Sequence, residues 1–213
     1  YQYHDALGIA VDVGFEGQAT AGAAEDPAKQ RARQTAKLLQ EGHYDEAIAL
    51  ARAELNENAG DFAANQRLHR LLQAVPGQES AMQAHAGEWL NTLLHTGKFR
   101  QAVDVLEIVW QTQADYRPSL PSLVLPLAEA CFAARRYDSV ARLIKGFDRR
   151  SPGHADTPAI YLLGARLLIE HQRDEAQARR VLAAVRQHYP ETPAAVEAQR
   201  LGELLDRLGA VAP

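Results

Sequence analysis

Residues 42–47 read GHYDEA, residues 97–102 read GKFRQA, and residues 135–140 read RRYDSV. A chain that repeats one six-residue turn must also repeat what the turn connects, and no other feature of this sequence restricts its fold as much. The sixth position is alanine or valine. With Ala178 of RDEAQA (173–178), the markers Ala102, Val140 and Ala178 are spaced by 38 residues twice. PGQESA (76–81) puts Ala81 34 residues after Ala47. Apolar residues stand four and seven positions beyond three of the markers: Leu106 and Val109, Ile144 and Phe147, Leu182 and Val185. That spacing is one face of an α-helix, seen three times. Pro152 and Pro190 each follow a marker by twelve positions and end its helix. Self-similarity at this period marks a helical repeat array.

The hexamer has a physical reading. A glycine takes the left-handed conformation that ends one helix, the aromatic two places on plugs the gap between two helices, and the small sixth residue lets them lie close. One hairpin cannot bury its apolar face alone, but stacked hairpins can. The pattern predicts ten helices, over about 27–41, 44–57, 61–74, 79–96, 99–114, 119–134, 137–149, 156–170, 173–188 and 192–208. Links of only two to six residues make successive helices antiparallel. The expected fold class is therefore all-α, an α-solenoid of antiparallel helix hairpins. Its last helix carries Glu197, Arg200, Glu203, Asp206 and Arg207 outward as a cap. Residues 1–25, small and glycine-rich toward their end, are expected to be an N-terminal arm or linker, and 26–213 the repeat domain.

The turn glycine, the aromatic, the small residue, the two apolar positions and the proline come in the order of the tetratricopeptide repeat (TPR) family, which residues 28–208 resemble. Gly164 in IYLLGARLL and Ala128 in LPLAEACF resemble the small residue of that family's first helix. Arg135 replaces the turn glycine in one unit, the unit at 173–178 lacks both glycine and aromatic, and PGQESA has Gln78 in the aromatic place. Only 21 residues separate Ala81 from Ala102, too few for a full hairpin, so the helix at about 79–96 is expected to serve two neighbours or to be an extra one. The resemblance implies a groove lined by first helices, and it places there Leu125, Glu129 and Phe132 from one and Tyr161, Ala165 and Leu168 from the next. The family's carboxylate clamp is not matched, because Gly87 stands where a lysine should accompany Asn91.

Composition narrows the classes of function. The net charge of −4 gives no wholesale attraction to a phosphate backbone, and no basic stripe with interleaved aromatics accompanies the arginines near 135–150, so no nucleic-acid partner is expected. A single cysteine, Cys131 in LAEACFAA, excludes an internal disulfide and is expected to be a buried small hydrophobe. The eight histidines form neither HExxH nor HxxxH nor a Cys/His cluster, so structural or solvent-facing roles are expected and no metal. TGKF (96–99) lacks the remainder of a phosphate loop, and GxSxG is absent. No cofactor and no catalytic residue are assigned. Of the two tryptophans, Trp89 lies among Leu90, Leu93 and Leu94 and reads as core, while Trp110, one place after Val109, is the better contact candidate.

The functional expectation is a non-enzymatic scaffold that binds a protein or peptide. The alternative is a soluble domain of a membrane-tethered or envelope-associated bacterial assembly protein, with an enzyme or small-ligand binder third. The chain starts at Tyr1 and its only methionine is Met82, so it is expected to be a processed product or a fragment. Any membrane association is then expected upstream of Tyr1. A cytoplasmic address is favoured, and HYPETPAAVEAQRL, which resembles repeats of bacterial envelope proteins, makes the periplasm the alternative.

Overall fold

The computed structural model describes residues 26–211; the arm expected at 1–25 lies outside the described residues. The described residues form eleven α-helices and no strand. The chain divides into two compact units, Tyr1–Thr92 and Leu93–Pro213. The first contains α1 (Pro27–Gln40), α2 (Tyr44–Glu57), α3 (Phe62–Ala74) and most of α4 (Glu79–His95). The second contains α5 (Phe99–Thr112), α6 (Val124–Ala133), α7 (Tyr137–Ile144), α8 (Phe147–Arg150), α9 (Thr157–Leu167), α10 (Glu175–His188) and α11 (Pro193–Val211).

In the first unit α1 packs on α2 and α2 on α3. The core there gathers Ala47, Ile48 and Ala51 of α2 with Leu68, Leu71 and Leu72 of α3 and Met82 of α4. In the second, α5 packs on α6, α6 on α7, α7 on α9, α9 on α10 and α10 on α11. In addition α9 touches α6 before it and α11 after it, so the first helices of successive hairpins also line up. Packing of each element on its sequence neighbours is the architecture of a helical solenoid.

Three turns show why the hexamer recurs. The Gly42 N–H bonds to the Leu39 carbonyl at 3.2 Å and the His43 N–H to the Leu38 carbonyl at 2.8 Å. Gly97 and Lys98 make the same pair to Leu94 (3.1 Å) and Leu93 (2.8 Å), and Arg135 and Arg136 make it to Phe132 (3.0 Å) and Cys131 (2.8 Å). This is the Schellman termination, which satisfies two orphan carbonyls at a helix end and needs a left-handed residue at its centre. Gly42 and Gly97 hold φ of 78° and 70° there, and Arg135 holds 58°. The sixth-position residues Ala47, Ala102, Val140 and Ala178 are each 0 % exposed, as close approach of paired helices requires. Of the aromatic third residues, Tyr137 is half-buried with Phe132 against its ring at 5.5 Å and His171 stacked on it at 4.6 Å, while the other two differ from expectation. Tyr44 is 43 % exposed and Phe99 51 %, because the fully buried sixth residue closes the helix pair and leaves the ring outside.

The predicted boundaries shift in three places. The helix expected over 137–149 breaks at Lys145–Gly146, where Gly146 adopts φ 66° and restarts the chain as α8. The guanidinium of Arg150 reaches back to the carbonyls of Lys145 and Leu143, closing two groups that the break sets free. The segment before α6 enters as a 3-10 turn at Pro121–Leu123. Beyond Leu167, α9 widens into a π turn at Leu168–Gln172 that ends on Arg173 at φ 58°. Helix starts follow local chemistry: the side chains of Asp61 and Asp174 accept from the N–H of Ala64 (2.8 Å) and Gln177 (2.9 Å).

A left-handed non-glycine residue costs roughly 1–2 kcal/mol, offset in part by the larger unfolded-state entropy of glycine. Arg135→Gly and Arg173→Gly are therefore each expected to stabilise the second unit by about 1 kcal/mol. The check is a higher urea midpoint at unchanged slope; a lower midpoint would show that the arginine side chains contribute more than the strain costs.

Candidate functional site

Two clefts of the second unit are lined by candidate residues. The first, of about 700 Å³, lies between α5 and α6. Its apolar surface comes from Phe99 and Val103 on α5 and from Pro126 and Ala130 on α6, and Arg100, Asp104, Glu129 and Arg136 stand around it. Phe99 begins α5 directly after the Gly97 turn, so the turn itself carries the exposed ring to this place. Arg136 bridges to Glu107 at 3.2 Å. The rim therefore carries both signs of charge around an apolar strip, a surface that can hold an apolar side chain while pairing charges on either side of it.

The second cleft, of about 540 Å³, lies among α7, α8, α9 and α10. Its lining is mainly aliphatic and aromatic, with Ile144, Phe147, Ile160, Leu167, Leu168 and Val181 contributing. It opens where α7 breaks and where α9 widens, since Gly146 and both Leu168 and Gln172 of the π turn lie on it. Tyr161 is 37 % exposed at this cleft. Burial, followed by the charge and hydrogen bond of Asp148, pushes its phenol above the ordinary value.

The candidate residues separate between these places and the core. Glu129 lines the first cleft, and Tyr161 and Leu168 line the second. Ala165 is 0 % exposed and belongs to a core cluster with Ala178, Leu182 and Val185. Leu125 is half-buried on α6. Phe132 is buried under the guanidinium of Arg166, 4.5 Å from the ring centre, with Tyr137 against its edge. Trp110 is buried too: its indole N–H donates to the Tyr116 carbonyl at 3.1 Å, and Arg142 lies 4.2 Å over its ring. Two aromatic candidates are thus closed off by arginines from neighbouring elements. Phe99, Arg100 and Asp104 were missed as surface residues because the hexamer reading placed the aromatic between helices. Their signal was a charged stretch following an aromatic at a helix start.

Reactive chemistry finds no foothold at Cys131. Burial first, then Glu107, pushes its thiol up to about 12 against the opposing effect of Arg136, so it stays protonated and inert. Among the described residues no group of three or more His, Cys, Asp or Glu could hold a metal ion, and no helix is long and apolar enough to cross a membrane. No protein-family model matches the chain, and comparison with curated proteins and with solved structures yields no match.

Proposed function

We propose that this chain is a TPR-type scaffold that binds an extended protein or peptide segment and carries out no chemistry on it. The observation that supports this reading is the cleft between α5 and α6, where a half-exposed phenylalanine stands over an apolar strip within a ring of two acids and two bases. An apolar anchor residue of the partner fills the space beside Phe99, and flanking charges pair with Arg100 and Glu129. Recognition through one buried anchor and a polar rim suits a segment better than a small molecule.

The test is selection of displayed random peptides on the pure chain. Peptides with an apolar anchor flanked by charges should be enriched. Phe99→Ala and Glu129→Arg should each weaken their binding about tenfold, with melting temperature unchanged, since both side chains are exposed. Failure to enrich any peptide, or enriched peptides indifferent to both substitutions, would overturn the reading.

A further inference from the structure

Residues 135–150 hold six basic side chains against two acidic ones, in a chain whose net charge is −4. Two of the six, Arg142 on α7 and Arg150 at the end of α8, come together with Arg117 of the segment between α5 and α6. Trp110 organises the first pair. Its indole N–H donates to the Tyr116 carbonyl at 3.1 Å, and Arg117 donates to that same carbonyl at 2.9 Å. Arg142 lies 4.2 Å over the indole ring and donates to the Ala114 carbonyl, two residues earlier in the same segment. Arg150 is held by the Leu143 and Lys145 carbonyls at the break after α7. Each guanidinium is thus tied to backbone oxygens, which fix its position and leave its charge uncancelled.

Among the described residues none of the three makes an ion pair. Arg117 and Arg150 repel each other: burial first, then Arg117, lowers the Arg150 pKa against the opposing charge of Asp148. Asp148 itself takes a hydrogen bond from the Tyr161 hydroxyl. Like charges held together without a counter-charge work against the fold. The tethers also restrict the partner. The three groups come from a loop, α7 and α8, each on its own carbonyls, so they are not free to close on one compact anion. Carboxylates spaced along an extended chain can meet them one by one, and the planar forks take carboxylates in bidentate fashion. Guanidiniums already fixed by an indole and the backbone lose little freedom on binding. We infer that Arg117, Arg142 and Arg150 form a docking site for an acidic protein segment, a run of aspartate and glutamate side chains. Phe99 begins α5 and Arg117 follows its end, so this site lies at the opposite end of α5 from the ring of the peptide cleft, and neither reading depends on the other.

The experiment is an NMR titration of the full isotope-labelled chain, at low ionic strength, with hexaglutamate acetylated and amidated so that only its side chains carry charge. The Trp110 indole N–H resonance should shift saturably, while that of Trp89 in the other unit stays in place. Arg117→Gln and Arg150→Gln should each weaken binding about fivefold. Arg207→Gln, the same change of charge on α11, should leave it unaltered. Tripolyphosphate, a compact anion, and phosphatidylserine vesicles should each bind about tenfold more weakly than the peptide. Arg117→Gln should leave the melting temperature of the free protein unchanged or raise it, because it relieves the repulsion on Arg150; an arginine held for structure would do the opposite. No saturable shift, a shift at Val103 in place of Trp110, equal binding of tripolyphosphate or vesicles, Arg207→Gln as damaging as Arg117→Gln, or a lower melting temperature for Arg117→Gln would each overturn the inference.

Discussion

Trp89→Ala is expected to cost the first unit about 3–5 kcal/mol, the largest loss from any single truncation in that unit. Trp89 is 1 % exposed in α4. Phe62 meets its ring edge-on at 5.3 Å between centroids, and His85 stacks on it at 5.8 Å. Removing the indole leaves a cavity between two helices that cannot close, because Phe62 and His69 come from α3 and His85 from the same helix as the tryptophan. Small domains are stable by only about 5–15 kcal/mol in total, so such a loss removes much of the margin. The readout is hydrogen exchange over Ala47–Leu72, where protection should fall by two or more orders of magnitude. Trp89→Phe should cost much less, since it keeps a ring in place and deletes an indole N–H that is buried without a partner. A loss below 1 kcal/mol for the alanine variant would mean that the site collapses freely.

Acidification should weaken the same unit. His69 and His85 are 1 % and 5 % exposed, with ring centroids 6.3 Å apart. Burial first, then the neighbouring His85, lowers the His69 pKa to about 4. Burial lowers that of His85 as well, with Arg52 acting in the same direction and the Asn65 carbonyl and Glu88 opposing it. Both groups are thus held neutral in the fold, and the unfolded chain, with a histidine pKa near 6.5, binds the extra protons. Stability from this source is complete above pH 6.5 and is lost as pH falls from 6.5 toward about 4. For His69 the full loss is roughly 3 kcal/mol, of which roughly 2 kcal/mol is gone at pH 5. His85 adds to it in the same sense. Urea unfolding at pH 7 and at pH 5 measures the difference, and His69→Leu should reduce it. An unfolding free energy that does not change between those two pH values would show that the cavity admits a protonated imidazole.

The histidines show how far the chain alone could be followed. Their scatter without a ligand motif could not show that two of the eight meet across α3 and α4. The same holds for the aromatic residues of the candidate groove. Phe132 and Trp110 lie on helices placed where expected, yet Arg166 and Arg142 cover them from elements more than thirty residues away in the chain. Glu129, Tyr161 and Leu168 stand at clefts, but at two different ones. The groove expected from the resemblance therefore appears as two surfaces of different chemistry.

The amino-acid sequence by itself determined the turns, the helices and their order. A Schellman termination is closed by hydrogen bonds within six residues, and a glycine or an alanine at the right offset states its own steric requirement. Only the tertiary structure decided which faces stay open and where α7 breaks. Exposure is set by side chains arriving from distant helices, and the spacing of one helix carries no information about what will lie across from it.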